Sequence, residues 1–363
     1  MICCKSDVAN PIIVPKRDFV KRKFAKRAEK KEALDKFGER VYNKVEILMD
    51  KECDGMTDAV IAQAQTLFGQ APDRIPLLCV VGPTASGKSR LAVELAQKTG
   101  GEVVSCDSMQ VYRRMNIGTA KPTEAEMEGI PHHMIDVVDP EVPYSCAEYV
   151  AAAREVLADL HARGKLPILC GGTGLYLDRL LRGGSDASAA SDPNVRAELA
   201  AYRAERGNAA LHALLEQADP ESAAAIHENN IPRVIRALEI FRVTGRTKTE
   251  VDRENAALDP TFCPYVVGLL WKREDLNRRI DVRVGQMLSA GLLDETRRLL
   301  AEGVFDVNAT AAQAIGYKEL LSYLHGEESL VAAVERLRLA TRHYAKRQMT
   351  WFRAKDYVKW VEM

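Results

Sequence analysis

The chain has 363 residues, a length that accommodates about two domains of ordinary size. Hydrophobic residues make up 47% and charged residues 28%, which excludes disordered, collagen-like and disulfide-scaffold proteins. Lysine plus arginine and aspartate plus glutamate are both 51, so the formal net charge is zero. Residues 336–359 nevertheless hold eight basic residues and one acid, and such a segment can bind nucleic acid whatever the total charge.

The eight cysteines are scattered, with no C-x-x-C pair. This spacing argues against a zinc finger and against a disulfide framework, so we expect reduced thiols and a cytoplasmic protein. The first residues lack the apolar core of a secretory signal. No apolar run approaches the roughly 18 residues that cross a bilayer, so no membrane association is expected.

Residues 1–75 are interpreted as a basic N-terminal extension. Within them, 18–49 combine spaced apolar residues with many lysines and arginines, as expected of an amphipathic helix. A basic helix could contact RNA, but a solvated helical extension is the preferred interpretation. A transit peptide is a further alternative, although the acids Glu29, Glu32 and Asp35 are unusual for one.

Short apolar runs after Pro76 predict the buried strands of a parallel sheet. They lie at 77–81, 102–106, 167–170 and 265–271, and helical segments separate the first three. Alternation of strands and helices predicts an α/β fold, with 76–183 and 263–363 forming one core domain. Residues 184–262 begin in a small, polar loop and continue as helices, which predicts a helical insertion domain. A last alternating strand is predicted at 357–361.

The first strand is followed by a full match to the phosphate-binding pattern G-x-x-x-x-G-K-[ST]. The matching residues are Gly82, Pro83, Thr84, Ala85, Ser86, Gly87, Lys88 and Ser89. Glycines let backbone N–H groups curl around a diphosphate, and the start of the following helix adds partial positive charge. Lys88 can neutralise phosphate oxygens and the Ser89 hydroxyl can bind Mg²⁺. No acidic Walker B strand follows, so the loop can also hold a diphosphate that is not part of a nucleotide.

Seven motifs in chain order resemble the tRNA dimethylallyltransferase (tRNA isopentenyltransferase) family. After the glycine-rich loop come Asp107-Ser-Met-Gln-Val-Tyr112, Asn116-Ile-Gly-Thr-Ala-Lys-Pro122, Gly171-Gly-Thr-Gly-Leu-Tyr176, Arg236-Ala-Leu-Glu239, Gln313-Ala-Ile-Gly-Tyr-Lys318 and Lys346-Arg-Gln-Met-Thr-Trp-Phe352. The resemblance covers about 76–363 and implies a P-loop NTPase-like sheet. It also implies transfer of a dimethylallyl group from dimethylallyl diphosphate to N6 of the tRNA adenine immediately 3′ of the anticodon.

In this reading the loop grips the diphosphate, which departs as pyrophosphate, and Mg²⁺ supports it. Thr84 resembles the substrate-contacting threonine of the family, and Arg283 resembles its diphosphate-binding arginine. Asp107 resembles the general base that takes the N6 proton. Organisation of Mg²⁺ remains an alternative for Asp107, and a solvated helix position is the alternative for Arg283.

The resemblance also implies which residues contact the anticodon stem-loop of tRNA. They are Asp107, Ser108, Met109, Gln110, Thr173, Arg196, Pro232, Arg233, Val234, Ile235, Arg236, Gln313, Ala314, Ile315, Gly316, Tyr317 and Lys318. Where relatives often carry Asp and Gln, this chain has Asn230-Ile-Pro-Arg233, so base contacts there differ. A monomer is expected. A kinase that shares the loop, and a noncatalytic RNA-binding factor, are the competing functions.

Overall fold

A six-stranded parallel sheet forms the centre of the protein in the computed structural model, which describes residues 53–182 and 191–363. Its strands are β1 (Ile75–Val81), β2 (Glu102–Ser105), β3 (His132–His133), β4 (Pro167–Gly171), β5 (Phe262–Leu270) and β6 (Val358–Glu362). The spatial order is β3-β2-β4-β1-β5-β6, and every neighbouring pair is parallel. The predicted α/β fold with a parallel sheet is therefore confirmed.

One described helix precedes the first strand, and the others lie between successive strands. In order they are α1 (Cys53–Gly69), α2 (Lys88–Thr99), α3 (Glu124–Met127), α4 (Cys146–Ala162), α5 (Gly174–Leu181), α6 (Pro193–Ala218), α7 (Pro220–Ala225), α8 (Ile231–Thr244), α9 (Lys248–Glu254), α10 (Arg273–Ser289), α11 (Leu292–Ala301), α12 (Val304–Val307), α13 (Ala309–Ala312), α14 (Tyr317–Leu324) and α15 (Leu330–Arg353). Within the described residues no helix is both long and apolar enough to cross a membrane.

Both faces of the sheet are covered because its strands are apolar on both sides. In β1, Leu77 and Cys79 face one core while Leu78 and Val80 face the other. Helices α4, α5, α10 and α15 pack on the first face, and α1 and α2 pack on the second. The carboxyl ends of β1, β2 and β4 therefore meet at one edge of the sheet, where open α/β sheets bind ligands.

Helix α1 lies in the segment that the sequence suggested as a separate extension. Its Val60 and Ala64 are buried against the α2 face of the sheet, and α1 belongs to the same compact unit as the rest of the described chain. The folded domain thus begins no later than Cys53, which corrects the expected boundary at residue 75. The predicted helix at 18–49 and the loop at 183–190 lie outside the described residues.

Helices α6 to α9 occupy the part of the chain expected to form the insertion. Leu199, Leu211, Leu215 and Val234 pack together in a hydrophobic cluster distinct from the two cores of the sheet. Asp192 and Asp219 cap the starts of α6 and α7 with their carboxylates, as residues before a proline at a helix start often do.

Candidate active site

The glycine-rich loop 82–87 connects the end of β1 to the first turn of α2. Gly87 stands before the helix with φ +91°, a left-handed conformation that favours glycine. Two side chains from the segment that follows β5 in the chain bind the loop backbone. Trp271 Nε1 donates to the Ser86 carbonyl at 2.9 Å, and Arg279 Nε donates to the Ala85 carbonyl at 2.7 Å. These hydrogen bonds fix the loop in front of α2. The N–H groups of the first turn of a helix have no partner within the helix, so they can bind an anion.

Two cations without a carboxylate partner converge beside this loop. Lys88 Nζ donates to the Pro83 carbonyl at 3.2 Å, and Arg283 Nη2 lies 3.4 Å from the Ala120 carbonyl. Neither forms a salt bridge with an acid among residues 53–182 and 191–363. Burial lowers the pKa of Lys88, and the charge of Arg283 lowers it further, whereas Asp107 raises it. Such a pair of close, unneutralised cations favours a bound anion.

Burial also lowers the pKa of the Arg283 guanidinium, while Glu126 and Asp107 raise it. Burial and then the charge of the neighbouring Arg283 lower the pKa of Arg279. The guanidinium of Arg279 lies over the Trp271 ring at 4.4 Å from the ring centroid. Three cations from α2 and α10 thus surround one end of the loop, and a diphosphate there would relieve their mutual repulsion.

Asp107 lies just beyond the end of β2, half-buried at the edge that holds the loop. Its Oδ1 accepts hydrogen bonds from the backbone N–H groups of Met109 at 2.9 Å and Gln110 at 3.4 Å. Its Oδ2 accepts no hydrogen bond from any residue that the structure describes. The carboxylate is thus held through one oxygen, and the second oxygen is available to a ligand or a proton.

Thr173 lies between the Asp107 turn and the last long helix, α15. Its hydroxyl accepts from the backbone N–H of Ser108 at 3.1 Å, next to the carboxylate. Burial and then the charge of Asp107 raise the pKa of the Tyr344 phenol in α15, and the Thr173 side chain lowers it. Of the residues predicted from the motifs, Thr84, Lys88, Asp107, Ser108, Thr173 and Arg283 therefore lie around one site.

Sequence reasoning gave no role to two residues of α15 that reach this site. Tyr344 lies close enough to Thr173 and Asp107 for both to shift its pKa, and Gln348, one helical turn later, contacts both the loop and the turn after β4. Their four-residue spacing is a signal that could have placed them on one helix face. The basic segment 336–359 and the motif Lys346-Arg-Gln-Met-Thr-Trp-Phe352 pointed to this helix but gave neither residue a role.

The predicted tRNA-contacting residues of the insertion differ in accessibility. Pro232 and Arg233 are exposed at the start of α8, and Ile235 is half-buried. Val234 is fully buried in the cluster of the insertion, so its side chain cannot contact RNA, contrary to the prediction. Its place in the helix, facing inward one residue after an exposed arginine, explains this outcome.

Arg196 and Arg236 both bind the carboxylate of Glu239. The distances are 2.8 Å from Arg196 Nε and 2.6 Å from Arg236 Nη1, and the Glu239 side chain is fully buried. Burial raises the pKa of Glu239, but hydrogen bonds from Arg236, the Asp192 backbone and Arg196 outweigh it and leave the pKa lowered. Arg196 therefore joins the start of α6 to α8, and Arg236 pairs with Glu239 within α8, structural roles that the sequence did not suggest.

The predicted segment 313–318 presents only part of its surface. Gln313 is exposed and Ile315 and Lys318 are half-buried, whereas Ala314 and Gly316 are buried. Tyr317 is also buried and donates from its hydroxyl to Glu295 Oε1 at 2.7 Å. The side chains of Ala314 and Tyr317 thus belong to the core rather than to a tRNA-binding surface, because this turn is tied down by α11.

Met109 and Gln110 were also predicted to contact tRNA. Met109 packs against the main core. The Gln110 amide is engaged at both ends: Oε1 accepts from Ser105 Oγ at 2.9 Å, and Nε2 donates to the Ala120 carbonyl at 3.2 Å. The Ala120 carbonyl also accepts from Arg283 Nη2 at 3.4 Å, so Gln110 helps to position a hydrogen-bond acceptor of this arginine.

The surroundings of the site contain few metal ligands. Within 53–182 and 191–363 no three His, Cys, Asp or Glu side chains come together as a metal cluster. The candidate oxygen ligands are those of Ser89, exposed in the first turn of α2, and of the half-buried Asp107. Such a small set resembles the one or two protein ligands with which Mg²⁺ binds phosphate substrates.

Two family models match the chain, "IPP transferase" at 110–355 and "Isopentenyl transferase" at 75–139. A tRNA dimethylallyltransferase of Bacillus licheniformis is 48% identical over 288 residues, which span 79% of this chain and 91% of the relative. One of Geobacter sulfurreducens is 46% identical and spans 81% and 94%.

Solved structures agree with these matches. The tRNA isopentenylpyrophosphate transferase of Bacillus halodurans superposes with a TM-score of 0.58 at 43% identity, over 80% of this chain and 90% of that one. A eukaryotic dimethylallyltransferase acting on tRNA superposes with a TM-score of 0.70 at 32% identity, over 79% of this chain and 73% of that one. This chain belongs to the tRNA dimethylallyltransferase family.

Proposed function

We propose that this protein transfers a dimethylallyl group from dimethylallyl diphosphate to N6 of the adenine immediately 3′ of the anticodon in tRNA. The observation that carries the proposal is the convergence of Lys88 and Arg283, both without a carboxylate partner in the part of the chain that the structure describes, on a glycine-rich loop that faces Asp107. This alkylation requires a binding site for the diphosphate anion on one side and a proton acceptor on the other.

The loop and its cations hold the diphosphate as a leaving group. When the allylic C–O bond breaks, negative charge grows on pyrophosphate, and groups aimed at that charge stabilise the transition state. Lys88 Nζ, the Arg283 guanidinium and the N–H groups at the start of α2 would do this. Thr84, in the middle of the loop, would contact the diphosphate.

Asp107 acts on the other reactant. The C1 carbon of the allyl group forms its new bond to N6 of adenine, and N6 loses one proton. The unengaged Oδ2 of Asp107 would take that proton, while Oδ1 stays fixed by the N–H groups of Met109 and Gln110. The adenine must leave its stack to reach this edge of the sheet, as in other enzymes that modify a base. The products are the N6-dimethylallyl adenosine and pyrophosphate.

Mg²⁺ is expected to assist. Ser89 would hold it, with phosphate oxygens and water as the remaining ligands, in keeping with the preference of this ion for few protein ligands. Bound there, the ion supplies additional positive charge to the departing pyrophosphate. The exposed Pro232, Arg233 and Gln313, and the half-buried Ile315 and Lys318, would contact the anticodon stem-loop.

A donor-substitution assay tests the proposal against the kinase alternative. The protein is incubated with unmodified tRNA and either labelled dimethylallyl diphosphate or γ-labelled ATP. We expect label in the tRNA from the first donor only, recovered as a prenylated adenosine after digestion. Phosphate transfer from ATP, with no prenyl transfer, would show a kinase instead.

A further inference from the structure

Gln348 is a buried amide that touches both halves of the site. It lies on α15 with 5% of its surface exposed. Its Oε1 accepts from the Thr84 backbone N–H at 2.8 Å, and its Nε2 donates to the Gly172 carbonyl at 3.0 Å. Both ends of the amide are therefore engaged, which is what a buried polar side chain requires.

The two hydrogen-bond partners of Gln348 lie in the two parts of the site that would serve the two different reactants. Thr84 is in the loop that would hold the diphosphate. Gly172 precedes Thr173, whose hydroxyl fixes Ser108 beside Asp107. A single side chain thus spans from the leaving-group loop to the turn that supports the base, and it sets the distance between them.

Gly172 matches Gln348 in shape. A Cβ atom at residue 172 would lie 2.0 Å from Gln348 Nε2, which is far inside van der Waals contact. The backbone of residue 172 does not itself demand glycine, since its φ is outside the left-handed region. The missing side chain is needed because the amide approaches the backbone so closely.

We infer that Gln348 is a positioning residue that aligns the diphosphate loop with the Asp107 turn for the transfer step. The inference rests on the proposed function. Since a misplacement of about 1 Å can slow a reaction roughly 100-fold, loss of the bridge should lower kcat more than it raises either KM.

A double-mutant cycle of Gln348→Ala and Gly172→Ala tests the bridge. The methyl group of Gly172→Ala displaces the Gln348 amide, whereas in the Gln348→Ala background its remaining close neighbour is the Gly82 carbonyl oxygen at 3.4 Å, an ordinary van der Waals contact. Each single variant should lower kcat by about 10- to 100-fold, with KM for dimethylallyl diphosphate and for tRNA changed by less than about threefold. The double variant should be no slower than the slower single variant, because both substitutions remove the same contact.

Two further variants separate positioning from general stability. Thr296→Val removes a buried hydroxyl that bonds only the Leu292 carbonyl of its own helix, so its kcat should stay within twofold of wild type. Gln348→Glu keeps the volume and an acceptor for the Thr84 N–H but offers Gly172 no donor when ionised. It replaces Gln348→Ala if that variant fails to fold, and it should lose at least fivefold in kcat.

Three results would overturn the inference. One is a kcat within twofold of wild type for Gln348→Ala or Gln348→Glu. Another is losses in the double variant that multiply as for independent sites. The third is an equal loss for Thr296→Val at matched thermal stability. A wild-type protein that prenylates no tRNA would overturn the proposed function, and with it the inference.

Discussion

Asp107 presents two carboxylate oxygens with different surroundings. Backbone N–H groups fix Oδ1, and Oδ2 faces the site without a partner in the described chain. Asp107→Asn keeps an oxygen for the two N–H groups but cannot accept the N6 proton. We expect kcat to fall by about 10²- to 10⁴-fold with KM for dimethylallyl diphosphate changed little. Steady-state kinetics would measure both; a loss confined to KM would contradict the base role and favour Mg²⁺ organisation.

Arg283 is half-buried and has no acidic partner within the residues described, so we expect its charge to serve a ligand rather than the fold. Arg283→Gln should raise KM for dimethylallyl diphosphate and weaken inorganic pyrophosphate binding by about 10- to 100-fold, the value of a charge-assisted hydrogen bond. Calorimetric titration with pyrophosphate measures the effect. Arg278→Gln is the matched control, because Arg278 lies on the same helix with its side chain 76% exposed. Equal weakening in both variants would refute a specific contact.

The residues of the site were predictable where a motif fixes their chemistry. The loop, Asp107 and Arg283 were located from sequence patterns and lie together. The side chains of Val234 and Tyr317 are buried, which the motifs could not show because a motif does not tell which side chains of a helix or turn face inward. Gln348 was missed because its role depends on two partners that lie 264 and 176 residues away in the chain.

At the scale of elements, Glu102, the first residue of β2, links this strand to β3 and to the end of α4. Glu102 binds Arg163 at 2.9 Å and His133 of β3 at 2.7 Å. Hydrogen bonds from Arg163 and then from His133 outweigh the effect of burial and lower the pKa of Glu102 to about 2.

Because the pKa of Glu102 is lower in the folded state, this carboxylate stabilises the fold above its usual pKa of about 4.5. The stabilisation is lost as the pH falls from there towards 2. In wild type the free energy of unfolding should therefore fall by up to about 1.4 kcal/mol per pH unit more than in Glu102→Gln across this window. Urea unfolding at a series of pH values measures the two slopes, and parallel slopes would contradict the assignment.

Helix α1 is part of the fold rather than an appendage. It buries Val60 and Ala64 against the sheet, and each fully buried aliphatic side chain such as valine contributes roughly 1.5–3 kcal/mol. Deletion of residues 1–70 should lower the melting temperature by about 5 °C or more, whereas deletion of 1–52 leaves this packing intact. Thermal denaturation of the two truncated proteins measures the difference. An unchanged melting temperature for the longer deletion would refute the role of α1.

Most strands were predictable because a strand buried on both faces is apolar throughout. The runs at 77–81, 102–106, 167–170 and 265–271 each mark an observed strand within a few residues. Strand β3 was missed because it comprises only His132 and His133, which have no apolar signal. Its pairing with β2 follows from tertiary contacts instead, including the His133–Glu102 interaction.

Across the whole molecule, the basic residues divide into those that the fold neutralises and those that it leaves for a ligand. Arg338 pairs with Glu335 and Arg342 pairs with Asp281, so two cations of the basic segment serve the fold. Lys88 and Arg283 remain unpaired within the described chain beside the glycine-rich loop. A net charge of zero is therefore compatible with an anionic substrate at one strongly cationic edge of the sheet.

The most direct measurement combines product mapping with stoichiometry. A tRNA anticodon stem-loop is incubated with the protein and dimethylallyl diphosphate, the modified nucleotide is located by mass spectrometry, and released pyrophosphate is counted. The expected result is one dimethylallyl group on N6 of the adenine 3′ of the anticodon for each pyrophosphate released. Pyrophosphate release without adenine modification, or alkylation at another position, would contradict the proposed reaction.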